Sequence, residues 1–383
     1  MDRSFDEPLP YEAADDPDPN DGVLDAAVDG ERRRGRGAVT NPSGRYEPHA
    51  KVAFDDGWQS LEELPPFKTY VTEERARKII SRNESPDIGF DRSINPYRGC
   101  EHGCIYCYAR PTHAYQGLSP GLDFESRLFV KPDAPELLVR ELSDPSYRPR
   151  TIAMGTNTDP YQPIEKKWQV TRRILEVLRD AGHPVGIVTK SALVTRDIDI
   201  LSEMAKRNLA KVAVSITTLD HKLARAMEPR AATPQRRLAT LRALSNAGIP
   251  TAVMVAPIIP AINDAEIERI LDAAAAAGVQ GAGYVTLKMP FEIKDLFREW
   301  LREHFPDKEK HVISLVRGLH GGKDYDSTWG QRQTGSGPYA WSIGRRFELA
   351  CERLGLNKKR SKLTTAHFHP PKQSRNQLDL FAA

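Results

Sequence analysis

Between residues 68 and 305 the chain alternates short apolar runs with amphipathic segments. Runs of strand length stand at 89–94, 151–154, 185–189, 212–216, 251–256 and 284–287. Helical periodicity fills 167–181, 196–207, 233–247, 264–277 and 291–304. Three of these segments end at Ala-Gly (Ala181-Gly182, Ala247-Gly248, Ala277-Gly278), where glycine suits a left-handed C-cap. The repeat of strand, helix, glycine, strand predicts an α/β fold with a parallel sheet and right-handed crossovers. Six such strands predict a partial (βα)6 barrel of the TIM type, with its chemistry at the carboxyl ends of the strands.

Outside this core the pattern weakens. Residues 1–65, rich in Asp, Pro, Gly and Arg without apolar periodicity, are expected to form a disordered tail. The predicted barrel spans 66–305 and an extension spans 306–360, Gly-rich over 317–344 and helical near 338–354. A flexible tail is expected over 361–383.

The 383 residues are 39% hydrophobic and 28% charged, enough for a large folded core. No apolar run approaches the roughly 20 residues of a membrane span. The first residues carry no signal-peptide pattern, and cysteines are few, so the expected compartment is the reducing cytoplasm. The net charge of +3 hides an asymmetry: residues 1–30 hold ten Asp/Glu against one Arg, leaving +12 on 31–383. An acidic tail on a basic body is compatible with a nucleic-acid partner and equally with a solvating tail. The run Arg32-Arg33-Arg34-Gly35-Arg36-Gly37 is a candidate phosphate contact or a solvated turn.

Three of the four cysteines, Cys100, Cys104 and Cys107, share one loop after the first predicted strand. That clustering predicts a metal site, and three thiolates on a four-iron cluster leave one iron open to a further ligand. A zinc site completed by His102, His113 or Cys351 is the competing reading. The second strand runs into Gly-Thr-Asn-Thr-Asp-Pro-Tyr-Gln-Pro-Ile-Glu (155–165), a polar strand end suited to a ligand with an ammonium group and hydroxyls. Equally, Asp159 or Glu165 is placed to cap the next helix. Lys190 ends the third strand and Ser215 the fourth. Glu228 and Arg230 are close enough in sequence to pair, and Arg230 is a candidate bidentate anion ligand.

The Cys-x₃-Cys-x₂-Cys spacing on a partial barrel resembles the radical S-adenosylmethionine (SAM) superfamily. Thr-Asp-Pro-Tyr-Gln-Pro-x-Glu looks like the element used by its spore-photoproduct-lyase-like (DNA repair photolyase-like) members. The resemblance runs from about Arg92 to Asn263. It implies that Cys100, Cys104 and Cys107 ligate a [4Fe–4S] cluster whose open iron binds SAM. An electron from an external donor then cleaves SAM to a 5′-deoxyadenosyl radical. It further implies SAM contacts by Thr156, Asn157, Asp159, Tyr161, Glu165, Lys190 and Ser215, with Glu228 and Arg230 lining the pocket. In such relatives the stretch 254–260 packs against the adenine. Arg332 and Lys323 in the Gly-rich loop are candidate phosphate contacts. One departure stands out. The photoproduct lyase returns a hydrogen atom from a cysteine near the second-strand loop, whereas this chain reads Met154-Gly155-Thr156-Asn157 there. Cys351, on a predicted helix, reads as packed core; Tyr161 is a candidate replacement, and no catalytic residue is assigned.

Near the end of the chain, Gln377-Leu378-Asp379-Leu380-Phe381 resembles the pentapeptide by which bacterial polymerases and repair proteins bind the sliding clamp. Leu380 and Phe381 would anchor in apolar pockets of the clamp, or else fold back on this chain. Together these features predict a radical SAM enzyme acting on DNA and recruited by the clamp. The alternatives are the same chemistry on RNA, a peptide or a small molecule, and a non-catalytic metal-bearing clamp adaptor.

Overall fold

The computed structural model describes residues 28–47, 66–358 and 362–371. The acidic stretch 1–27, residues 48–65 and the clamp-like motif Gln377–Phe381 lie outside the described residues. Six parallel strands form the predicted sheet: β3 (Arg92–Ile94), β6 (Ile152–Met154), β7 (Val185–Thr189), β8 (Ala210–Ser215), β9 (Thr251–Ile258) and β10 (Gly281–Thr286). They lie side by side in chain order, the order an incomplete (βα)6 barrel requires. An antiparallel strand, β2 (Ile80–Arg82), closes the β3 edge. A second, three-stranded sheet joins β1 (Tyr70–Glu73), β5 (Arg127–Val130) and β4 (Tyr97–Arg98). No helix of the described residues is long and apolar enough to cross a membrane.

The helices pack as the periodicity predicts. Helix Val170–Asp180 buries Val170, Ile174, Leu175 and Leu178 on one stripe. Each such aliphatic side chain is worth about 2 kcal/mol of transfer free energy. A main apolar core runs beneath the strands and takes in Cys351, which is 6% exposed on helix Gly337–Leu354. A second core gathers helices Ile293–His304 and Glu309–Leu319 around Trp300, and reaches Ala38, Cys104, Ile105 and Tyr106. The carboxy-terminal helices therefore help wall the cysteine loop.

The expectation of one disordered stretch over 1–65 is corrected at 28–47. These residues form a strap in which Arg36 to Thr40 are all buried. Three of the four arginines in its basic run are engaged by the fold, and Arg34 is exposed. Arg33 pairs with Glu303 at 2.6 Å, Arg36 donates to Phe67 O and Thr69 Oγ1, and Arg32 stands over the Phe67 ring.

Residues 362–371 dock at the opposite pole, beside the amino ends of β6, β7 and β8. Thr364 N–H donates to Asn208 O, His369 N–H to Ala181 O, and Ser143 Oγ–H to Pro371 O. Phe368 packs against Tyr147 and His183, with ring centroids 5.7 and 5.5 Å away. Phe368→Ala is expected to cost about 2 kcal/mol in urea unfolding, below the range for a fully buried ring. It should also open the chain near residue 364 to limited proteolysis while the barrel remains intact.

Candidate active site

The cysteine loop is held from both sides. Ahead of it, β4 pairs with β5, and Cys100 N–H donates to Phe124 O at 2.9 Å. Behind it, the fully buried Arg110 spends its guanidinium on five acceptors. These are Cys104 O (2.9 Å), Gly103 O (3.2 Å), Pro120 O (3.1 Å), Gly121 O (2.9 Å) and the Glu125 carboxylate. Glu125, also fully buried, in turn accepts the Gly37 and Ala38 amides of the strap at 2.8 and 2.9 Å. Strap and loop touch backbone to backbone, and a Cβ at Gly37 would stand 1.9 Å from Gly103 O. Gly103 itself adopts φ +67°, with Glu125 Oε2 only 2.6 Å from where a Cβ would lie.

Cys100 and Cys104 are buried, Cys107 is half-buried, and none is in a disulfide. Burial pushes all three thiols up, Cys104 to about 12, with the Glu228 charge adding to the effect there. Of the groups named for a fourth zinc ligand, His102 faces Asp159 at 3.4 Å, Cys351 sits in the main core, and His113 lies edge-on to Phe124 with its Nε2 buried and without a hydrogen bond. Among the described residues no three His, Cys, Asp or Glu side chains converge on a point where one metal ion could sit. Three free thiols in one walled loop, with no fourth ligand converging on them among the described residues, fit a cluster with one open iron.

Next to the cysteines a polar floor is built from the ends of β6, β7 and β8. Asp159 accepts Tyr161 N–H (2.9 Å), Thr189 Oγ–H (2.7 Å) and Lys190 N–H (2.7 Å). Burial would raise its pKa, but the His102 ring and these donors outweigh burial and hold it at about 2. Lys190 Nζ reaches Ser215 Oγ at 3.3 Å and stands 5.5 Å from the Tyr106 ring centroid. Thr156 and Asn157 meet Asn95 Oδ1, and Tyr108 donates to Thr156 O. Cys100, Cys104, Cys107, Thr156, Asn157, Asp159, Lys190 and Ser215 thus share the carboxyl-end face.

Four expectations are corrected. Tyr161, expected at the polar strand end, is fully buried in the main core. Glu165 is fully buried and consumed by the protein. It accepts Tyr97 O–H, Thr171 N–H (3.0 Å) and Arg196 Nη2 (2.6 Å), so it caps helix Val170–Asp180. Glu228 and Arg230 do not pair. Glu228 takes Arg237, Tyr106 O–H and Thr217 O–H, whereas Arg230 takes Glu101 and Gly35 O. The Glu228 carboxyl, which burial would raise, is held at about 2 by the Arg237 charge. Arg332 is bound to Asp87 and Ser85, while Lys323 is exposed.

Sequence reasoning missed Arg110, Glu125, Arg237 and Gln162. Gln162 clips the cysteine loop to the 155–165 loop by accepting Glu101 N–H (2.9 Å) and donating to Gly99 O (3.2 Å). A signal existed for Arg110, an arginine three residues after Cys107, but nothing local marks its partner Glu125.

This fold is that of a radical SAM enzyme. A model of the radical SAM superfamily matches residues 94–274. The chain belongs to that superfamily, whose members use a [4Fe–4S] cluster and SAM. An uncharacterized protein of Mycobacterium tuberculosis is 39% identical over 235 residues, 61% of this chain and 68% of that protein. An uncharacterized protein of Methanocaldococcus jannaschii is 30% identical over 199 residues, 52% of this chain and 71% of that one. A radical SAM Nalpha-GlyT isomerase of Pseudomonas phage M6 is 28% identical over 190 residues, 48% of this chain and 36% of that enzyme. Among solved structures, spore photoproduct lyase complexed with dinucleoside spore photoproduct superposes with TM-score 0.53 at 15% identity, over 75% of this chain and 80% of the lyase.

Glu125→Ala removes the acceptor for a buried guanidinium and two strap amides. It is expected to destabilise by about 3–5 kcal/mol in urea unfolding. It should also lower iron retained after anaerobic desalting. Glu165→Gln is expected to lower stability yet leave SAM affinity by calorimetry unchanged, because its carboxylate faces the fold.

Proposed function

We propose that Cys100, Cys104 and Cys107 hold the [4Fe–4S] cluster and that the ends of β6, β7 and β8 hold SAM beside it. The observation that carries this reading is a trio of free thiols in one loop, next to a floor bearing both a carboxylate and an ammonium. Asp159 and the polar side chains of Thr156 and Asn157 suit the methionyl ammonium group. Lys190 suits the methionyl carboxylate, with Ser215 orienting its head. Glu228, locked between Arg237, Thr217 and Tyr106, positions the Tyr106 ring against Lys190 and is not a ligand itself. When bound and reduced by an external donor, the cluster supplies the electron that cleaves SAM to a 5′-deoxyadenosyl radical. The chain's own part is to bind, orient and keep water from that step, through the second core packed around Cys104, Ile105 and Tyr106.

We further propose that the substrate is DNA and that the enzyme works in the cytoplasm on damaged or modified bases. Three features support this reading. Residues 31–383 carry +12, the lyase of the same fold is seen with a dinucleoside photoproduct, and Gln377–Phe381 resembles a clamp-binding peptide. The clamp would recruit the enzyme to replication sites through Gln377, Leu378, Asp379, Leu380 and Phe381.

The test is anaerobic reconstitution, reduction with dithionite, addition of SAM and mass spectrometry of 5′-deoxyadenosine, with and without irradiated DNA. Wild type is expected to form it, and Cys104→Ala to form none above background. Product from the wild type that is unchanged by DNA, with no altered nucleoside after digestion, would redirect the search to RNA, peptide or small-molecule substrates. Absence of product from loaded wild type would remove the radical reading altogether.

A further inference from the structure

At the end of β10, Lys288 stands half-buried at the rim of this mouth without a carboxylate partner. Its ammonium donates to Gln333 Oε1 at 2.8 Å and lies 4.9 Å from the centroid of the Tyr108 ring, the residue directly after Cys107. Among the described residues no Asp or Glu lies within ion-pair distance of it. The nearby Asp87 is taken by Arg332 and by the Gly330 amide. An ammonium has three donors, so two remain to be satisfied. Burial and the neighbouring Arg332 charge pull the Lys288 pKa down to about 8, which is the cost of holding this cation without an anion.

The position is built, not incidental. The Gly-rich loop is sewn onto β10 by Gln333 O, which accepts Thr286 N–H at 2.9 Å and Thr286 Oγ–H at 3.2 Å. That seam places the Gln333 side chain on Lys288. Three residues further on, Phe291 is 61% exposed and adopts φ +53°, a strained backbone for a bulky residue. Arg45 lies 4.1 Å over its ring and 5.5 Å over Tyr46, which stacks on Tyr115 at 5.3 Å. The strap, the segment after the cysteine loop and the segment after β10 thus contribute one row of exposed rings, which begins three residues after this cation in the chain. A small carboxylate would need only the cation. A nucleic-acid strand presents both an anion and a flat π-face in each nucleotide.

We propose that Lys288, seated by Gln333 and Tyr108, binds a backbone phosphate of the substrate strand, and that the Phe291–Arg45–Tyr46–Tyr115 row stacks an unpaired base next to it. This deepens the DNA reading above and rests on it. The experiment is fluorescence anisotropy of a labelled single-stranded DNA oligonucleotide with the reconstituted full chain, over a salt series. Lys288→Gln is expected to reduce the log–log salt slope by about 0.7, one phosphate contact on a single strand. Lys288→Arg should restore the slope, and Tyr115→Ala should weaken binding about tenfold with the slope unchanged. SAM affinity, measured in parallel, should be the same in all four proteins. If wild type binds DNA and Lys288→Gln keeps its slope, or loses SAM affinity instead, the seat is not a phosphate site and this proposal falls alone. If wild type does not bind the oligonucleotide, the DNA reading falls and takes this proposal with it.

Discussion

The site depends on one buried ion pair. Arg110 and Glu125 are both fully buried, and together they tie the cysteine loop to the turn that follows it and to the strap. An isolated buried charge is costly, and two charges are tolerable only when each is fully hydrogen-bonded. Here that condition recruits distant chain. Arg110 is completed by carbonyls on both sides of the loop, and Glu125 by amides of the strap. Satisfying the pair therefore assembles the loop, the turn at 120–121 and residues 37–38 in a single step. The same logic repeats one layer away, where Glu228 and Arg237 fix Tyr106 and Arg237 also holds Ser215 O at 3.0 Å.

Much of the framework was legible in the sequence because it follows local periodicity. The parallel strands, the helices between them and the Ala-Gly stops are set by apolar spacing and by glycine at C-caps. Strand 185–189 coincides with its predicted bounds. What could not be read is what depends on long-range pairing. β1, β2 and β5 are short, and the exposed faces of β1 and β2 leave no clear alternation. The strap looks disordered because it has no helix or strand period. Its order comes from side chains and amides spent on Glu125, Asp123 and Glu299.

The candidate site divides along the same line. Motif spacing brought Cys100, Cys104 and Cys107 to one loop, and Asp159, Lys190 and Ser215 to adjacent strand ends. It misassigned Glu165 and Tyr161 because a motif cannot distinguish a carboxylate facing the ligand from one turned under the loop. Ten residues carry Thr156 from the mouth to Glu165 beneath it, and only tertiary packing reveals where the turn occurs. Arg230 was matched to the nearer glutamate in sequence, whereas the cysteine loop brings Glu101 closer in space and the strap adds Gly35 O.

The docking of residues 362–371 at the amino ends of β6 to β8 has a mechanical consequence. The last docked residue lies on the pole away from the cysteine loop. A pull on residue 371 would pass first into the Phe368 contact and the helix ends beneath it, on the side of the sheet away from the site.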